Sequence, residues 1–410
     1  MSDHAVVGPR SHQRFPLFDS LRGLAAISIL LVHVAIFTDG FGDDAVGRIV
    51  AHLDIGVPFF FLLSAFLLYR PFVASRREHR ARGRFDTYAE RRFLRIAPAY
   101  WAVLTIAAVV PGMAGAFSGN WWVYYGLLQN YPVYTPDGTC AVDPFRCAIP
   151  PAWSLSIEVF FYVLLPFFVL LMAWLARRWR GPWMVPEIVV VGLLSIASFW
   201  IQSRVPISDA ATVLFFSPIG RGWWFGLGLL LAAFSVWAGQ RERLPRALDV
   251  VERYPWALVG SAIALYLALV WFVLEPAPTG AFPVGDVGRY FVEYVGFGVI
   301  ALLIVLPATF GGEGPGRYRA FLRHPIPTWL GVVSYGIFLW QFPVLVAALD
   351  LGVDDWWPAQ SFLVVSAVTF AGTVVCAAAS YYALERPLMR WGRRHEDEPD
   401  ETPPPEPVAP

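Results

Sequence analysis

Apolar runs of about 20 residues recur along the chain. They fall near 22–37, 51–69, 96–113, 153–176, 184–202, 213–237, 256–274, 289–309, 326–350 and 360–383. A helix of about 20 residues crosses the hydrocarbon core of a bilayer, and in lipid every backbone N–H and C=O must be satisfied within its own segment. The pattern therefore predicts an all-α polytopic protein with about ten transmembrane helices in one bundle. An even count puts both termini on the same side. The aromatic stretch from Trp121 to Leu128 is shorter and reads as interfacial or re-entrant. The first run contains Arg22 and His33 and lacks a small-residue cleavage site, so it reads as the first transmembrane helix and not as a signal peptide.

Composition sharpens this picture. The 410 residues are 57% hydrophobic and only 15% charged, which excludes a soluble globular domain and a disordered chain alike. Net charge is zero, so the basic excess of a nucleic-acid binder is missing. All 31 basic residues are Arg, which rules out a Lys Schiff base or a P-loop Lys. Placing both termini in the cytoplasm leaves 26 Arg in or beside cytoplasmic segments. Arg48, Arg146, Arg204, Arg221 and Arg289 then lie outside. The segment Arg70 to Arg95 alone holds nine Arg. This asymmetry sets the orientation, and the cluster has no further role to fill on topology grounds alone. The domain reading is a cytoplasmic tail at 1–14, a transmembrane domain at 15–390, and an acidic, Pro-rich, disordered cytoplasmic tail at 391–410. The expected location is the plasma membrane.

Ionisable residues inside spans are costly and default to functional hypotheses. Arg22 and His33 are eleven residues apart, so they share one helix face. That face carries Ala25, Ala26 and Ile29 between them, where a ligand or helix can approach closely. The rise of about 16.5 Å puts Arg22 near the cytoplasmic edge and His33 near mid-membrane. A low-dielectric site favours the neutral imidazole, the form that accepts a proton from a hydroxyl. A satisfied structural His is the bland alternative. Ser154, Glu158 and Tyr162 follow at i, i+4, i+8 and form one polar stripe. Their depth matches that of His33 closely enough for one shared cavity. The alternative is a stripe that bonds to a neighbouring helix.

Arg92 and Arg95 share a face at a cytoplasmic helix N-terminus, where Arg forks and backbone amides both suit phosphate. His52 and Asp54 read as polar groups of the outer interface, and Ser334, Tyr335 and Gln341 as cross-bundle hydrogen bonders. The pairs Trp121–Trp122, Trp223–Trp224 and Trp356–Trp357 read as an aromatic belt. Cys140 and Cys147 share one extracytoplasmic loop and are expected to form a disulfide, whereas Cys376 packs in a span. No metal-ligand spacing occurs, so no bound metal or permanent cofactor is expected.

Several of these pieces together resemble the acyltransferase 3 family of bacterial integral-membrane O-acyltransferases. They are Phe18-Asp19-Ser20-Leu21-Arg22-Gly23-Leu24-Ala25-Ala26 with His33, Phe59-Phe60-Phe61-Leu62-Leu63-Ser64-Ala65-Phe66, and Arg92-Phe93-Leu94-Arg95-Ile96-Ala97-Pro98. Then come Trp153-Ser154-Leu155-Ser156-Ile157-Glu158, the stretch from Ser334 to Pro343, and Tyr382-Ala383-Leu384-Glu385-Arg386-Pro387. The chain departs from the family's pattern at Ala65 (often Gly), Val159 (often acidic) and Gln341 (often His).

The resemblance implies transfer of an acyl group, most often acetyl, from cytoplasmic acyl-CoA to a hydroxyl of a carbohydrate or related acceptor. His33 would be the general base or, in a ping-pong variant, the acyl carrier. Arg92 and Arg95, with Arg22, would hold CoA phosphates. Asp19 would fix Arg22, and Glu158, Ser154, Tyr162 and Tyr335 would orient acceptor or imidazole. Expected partners are acyl-CoA, a hydroxyl-bearing glycan, glycolipid or metabolite, the bilayer, and in one variant a separate extracytoplasmic transferase. The alternative from another class is a secondary transporter.

Overall fold

The computed structural model describes residues 15–78, 85–113, 115, 117, 120–131, 147–204, 213–241, 246–274, 287–310 and 316–397. Every long element is a helix, as backbone satisfaction in lipid requires. In chain order they are α1 (Leu17–Ile36), α2 (Ala45–Ala51), α3 (Gly56–Arg77), α4 (Phe85–Val109), α5 (Trp121–Tyr125) and α6 (Ala152–Arg178). There follow α7 (Met184–Gln202), α8 (Gly222–Gly239), α9 (Arg246–Arg253), α10 (Pro255–Phe272), α11 (Val287–Phe310) and α12 (Arg317–Arg323). The chain closes with α13 (Pro325–Val332), α14 (Ser334–Asp350), α15 (Ser361–Ser380) and α16 (Arg386–Asp397).

Among the described residues nine helical runs are long and apolar enough to cross a membrane, and one bent pair makes a tenth. The protein is a multi-pass membrane protein. The second span is compound: α2, a 3₁₀ turn at Leu53–Ile55, and α3 run on as one crossing. The ninth was expected to be one helix over 326–350. It is instead broken at Val333 into α13 and α14, which diverge by 72°. Close packing at the break supplies the reason. A Cβ on Gly331 would lie 1.8 Å from the Asp19 carbonyl oxygen, so α13 touches the backbone of α1 and cannot follow the line of α14.

Small residues set the other tight crossings, since lipid tails leave no hydrophobic drive between helices. A Cβ on Gly228 of α8 would meet the Leu62 carbonyl of α3 at 2.2 Å. Stacked rings fill the adjoining space: Phe225 lies 4.6 Å from Phe61 and 4.2 Å from Phe161, tying α3, α6 and α8 together. Beyond the expected boundary at residue 390, α16 continues in helix to Asp397. A one-turn π-helix at Tyr381–Glu385 joins α15 to α16.

Two expectations fail at the opposite end. Trp224 is not a belt residue: it is 6% exposed, and its indole donates to the Tyr294 carbonyl at 2.9 Å. Nor is His52 a surface group. It is buried, with Nδ1 3.0 Å from Glu293 Oε1. The start of α3 explains this, because a Cβ on Gly56 would stand 2.5 Å from both the Ala25 carbonyl and the Ser28 hydroxyl. The 52–56 segment therefore sits against the middle of α1, below the rim of the bundle.

Candidate functional site

A narrow cavity of about 50 Å³ runs between α1, α3, α4, α6 and α14. Arg22 and Ile29 form its α1 wall; Arg95 and Ile96 close the Arg-rich end. Ser154, Leu155, Glu158 and Tyr162 line the α6 side, so the predicted stripe does face one space. Phe60, Phe61, Tyr335 and Phe338 complete an apolar wall.

Glu158 is the most constrained polar group in this cavity. Its Oε1 accepts from the Tyr162 hydroxyl, one turn on in the same helix, and from the Ser64 hydroxyl of α3. Both bonds converge on one oxygen, which leaves Oε2 without a hydrogen bond among the described residues. Two hydroxyls from two helices thus fix the direction of one carboxylate.

Three guanidinium groups gather at the Arg-rich end; α4 begins at Phe85, so Arg92 and Arg95 lie inside the helix and not at its N-terminus, and the free amides expected beside them are not there. Arg22 lies within electrostatic reach of Arg95, Tyr162, Glu158 and Asp19, and Arg92 within reach of Arg95 and Glu158. None of Arg22, Arg92 and Arg95 makes a contact ion pair with a described residue. The Arg92 Nε is buried without a partner. Three cations placed close together, one with a vacant buried donor, form an anion site by charge and by hydrogen-bonding capacity. Asp19 sits in the first turn of α1 and near Arg22, though not within ion-pair distance.

His33 stands one turn beyond Ile29 along α1, just outside the cavity wall. Its Nδ1 is 3.3 Å from Gln341 Oε1, and Phe342 packs edge-on at 5.8 Å. The Gln341 amide nitrogen donates to the Phe338 carbonyl at 3.1 Å. That second bond fixes which end of the amide faces the ring, because a flipped amide would oppose two carbonyl oxygens. Oε1 can only accept, so Nδ1 carries the proton and Nε2 keeps its lone pair. Gln341 thus leaves the Nε2 lone pair of a neutral His33 ring unoccupied by that contact.

Membership is decided by the match of the acyltransferase-domain family profile to residues 16–381. The chain belongs to the acyltransferase 3 family. It is 24% identical over 403 residues to the peptidoglycan O-acetyltransferase OatA of Listeria monocytogenes, which covers 93% of this chain but 57% of that protein. It is 27% identical over 390 residues to nodulation protein 10 of Rhizobium leguminosarum, covering 91% of this chain and 93% of that one. With the acyltransferase MdmB of Streptomyces mycarofaciens it shares 25% identity over 409 residues, covering 93% of each. The chain thus spans just over half the length of OatA. No solved structure matches significantly.

Against the acyltransferase 3 motifs, two residues gained a geometry the sequence had not supplied. Ser64, to which its motif assigns no role, holds Glu158. Gln341, expected to hydrogen-bond across the bundle, does so and holds His33. Two expected orienting groups are otherwise engaged. Ser154 donates to the Pro151 carbonyl at 3.0 Å, and Tyr335 to the Ile96 carbonyl at 2.9 Å. Both line the cavity with their hydroxyls already committed to backbone. Of the loop cysteines, Cys140 lies outside the described residues; Cys147 is disulfide-bonded, and Cys376 is free. No group of three or more metal-binding side chains is found among the described residues.

Proposed function

We propose that this protein is a membrane O-acyltransferase that moves an acyl group, acetyl in the simplest case, from acyl-CoA to a saccharide hydroxyl. The observation that carries this reading is the convergence of Arg22, Arg92 and Arg95, without contact ion pairs, beside a cavity that leads along α1 toward His33. The donor phosphates sit on those guanidinium groups at the end that the Arg asymmetry assigns to the cytoplasm. A cavity of about 50 Å³ has room for a narrow chain and none for a nucleotide. The nucleotide therefore stays at the mouth, and the pantetheine arm reaches inward, with some parting of the apolar wall at Phe60 and Phe338.

The chemistry then needs one base at the thioester. His33 Nε2 takes the proton of the acceptor hydroxyl as its oxygen attacks the thioester carbonyl. The C–O bond forms, the C–S bond breaks, and the imidazolium returns its proton to the departing thiolate. Glu158, directed by Ser64 and Tyr162, and Arg22 hold the reactants in line. The glycan class of acceptor is supported by the name of one relative, the peptidoglycan O-acetyltransferase of Listeria monocytogenes. Acyl transfer to Nε2 itself is the second reading, since the same lone pair is a nucleophile. Recovery of acylated protein after incubation with donor alone would select it.

The experiment is mass spectrometry of surface glycans from deletion and complemented cells. One acyl mass difference per modified unit is expected. Identical spectra from both strains would overturn the proposal.

A further inference from the structure

A second polar crevice lies on the other side of the cavity wall and has no part in the chemistry above. It is built around Asp54, in the 3₁₀ turn between α2 and α3. The turn is deep, because the adjacent Gly56 packs on α1 between the levels of Arg22 and His33. Asp54 is nevertheless exposed. A carboxylate facing lipid tails at that depth is strongly disfavoured. Its electrostatic neighbours come from three other places: Glu293 of α11, His52 at the end of α2, and Arg221 at the start of α8. Asp54 thus opens into a polar space bordered by these elements.

The groups around it are arranged for a ligand. His52 and Glu293 pair at 3.0 Å. Arg221 is 4% exposed and donates to the Tyr290 hydroxyl at 2.8 Å, yet its Nε is buried with no partner. The guanidinium lies 5.5 Å from the ring of Trp153, whose neighbour Ser154 lines the Glu158 cavity. From the other side, Val57 of the same wall is three residues from Asp54. The two spaces thus share a partition at the depth of α1 that leads to His33.

We propose that this crevice is the acceptor site, and that it takes a neutral or amine-bearing saccharide whose hydroxyl or amino groups donate to Asp54 and Glu293. Asp54 and Glu293 both offer carboxylate oxygens as acceptors and disfavour a further carboxylate beside them, so acidic sugars are turned away. This rests on the glycan-acceptor reading above, and it adds a location and a charge rule to it.

Two measurements test it separately from the acyl chemistry. Asp54→Cys, in a Cys376→Ser background, is treated with a membrane-impermeant cationic thiol reagent in right-side-out and inside-out vesicles. Labelling is expected from the face opposite the Arg-rich end, slowed at least fivefold by de-O-acylated surface glycan from cells lacking the protein. No labelling from that face, or no protection by glycan, overturns the site. In acetyl-transfer assays, Asp54→Asn and Glu293→Gln should each raise KM for that glycan tenfold or more while KM for acetyl-CoA stays put. An unchanged glycan KM in both variants overturns it. Wild-type vesicles that transfer no acetyl group would refute the donor reading, while labelling and protection still decide the crevice.

Discussion

Replacing Gln341 by Leu keeps the volume near His33 and deletes the acceptor for Nδ1–H. Gln341 is 1% exposed, and the His33 ring it meets is partly buried. A buried donor left unsatisfied costs about 1–3 kcal/mol. The ring escapes that cost by moving its proton to Nε2 or by turning away, and either change removes the lone pair the base needs. The fraction of protein with a competent His33 then falls by the same free energy, and kcat falls about 5- to 150-fold at about 1.4 kcal/mol per tenfold. Gln341→Glu, protonated, keeps an acceptor for Nδ1–H and a donor for the Phe338 carbonyl and should recover most of the rate. The assay is acetyl transfer in membranes at saturating donor and glycan, normalised to protein that remains monodisperse in detergent. Leu within twofold of wild type would refute the tautomer argument. So would equal losses in the Leu and Glu variants, which would point to packing.

Other expectations follow from the same contacts. Arg92→Ala and Arg95→Ala should each raise KM for acetyl-CoA tenfold or more by removing a charge-assisted phosphate contact of about 1.5–3 kcal/mol; unchanged CoA affinity by equilibrium binding would contradict the donor site. Ser64→Ala combined with Tyr162→Phe strips both donors from Glu158 Oε1, and the pair should be more damaging than either alone, read as kcat in the same vesicles. Gly331→Ala forces α13 off the Asp19 backbone, where the new Cβ would sit at 1.8 Å, and should lower detergent-solubilised stability by about 1–3 kcal/mol in thermal unfolding. Glu187→Ala leaves Arg76 and the Tyr69 hydroxyl without their shared buried carboxylate and should cost about 3–5 kcal/mol by the same measure.

The membrane bundle was legible because its signal is local. A run of 20 apolar residues can be counted, and Ser154, Glu158 and Tyr162 at helical spacing declare a shared face. What escaped was set by partners far away in the chain. Ser64 and Glu158 are 94 residues apart, and His33 and Gln341 are 308 apart, so no periodicity connects them. The break at Val333 arises from Gly331 meeting a different helix and leaves no Pro at the break to announce it. Asp54 was misplaced for a related reason. A straight crossing would put it at the rim, whereas the turn at Leu53–Ile55 carries this exposed residue to the level of the middle of α1, where Gly56 packs. Trp224 looked like an interfacial ring because the Tyr294 carbonyl that receives its indole N–H lies 70 residues on.

The motifs and the structure answer different questions about His33. The motif places Arg22 and His33 on one face, and the structure adds that His33 stands past the cavity wall with its Nδ1 held by Gln341. In the proposed reaction Nε2 is therefore the nitrogen left to take the hydroxyl proton. The most direct test is transfer of labelled acetyl from acetyl-CoA to de-O-acylated surface glycan in vesicles bearing wild type or His33→Ala at matched levels. Removal of a general base predicts a loss of about 10²- to 10⁴-fold, with acetyl-CoA still bound. Transfer at the wild-type rate by His33→Ala would contradict the account.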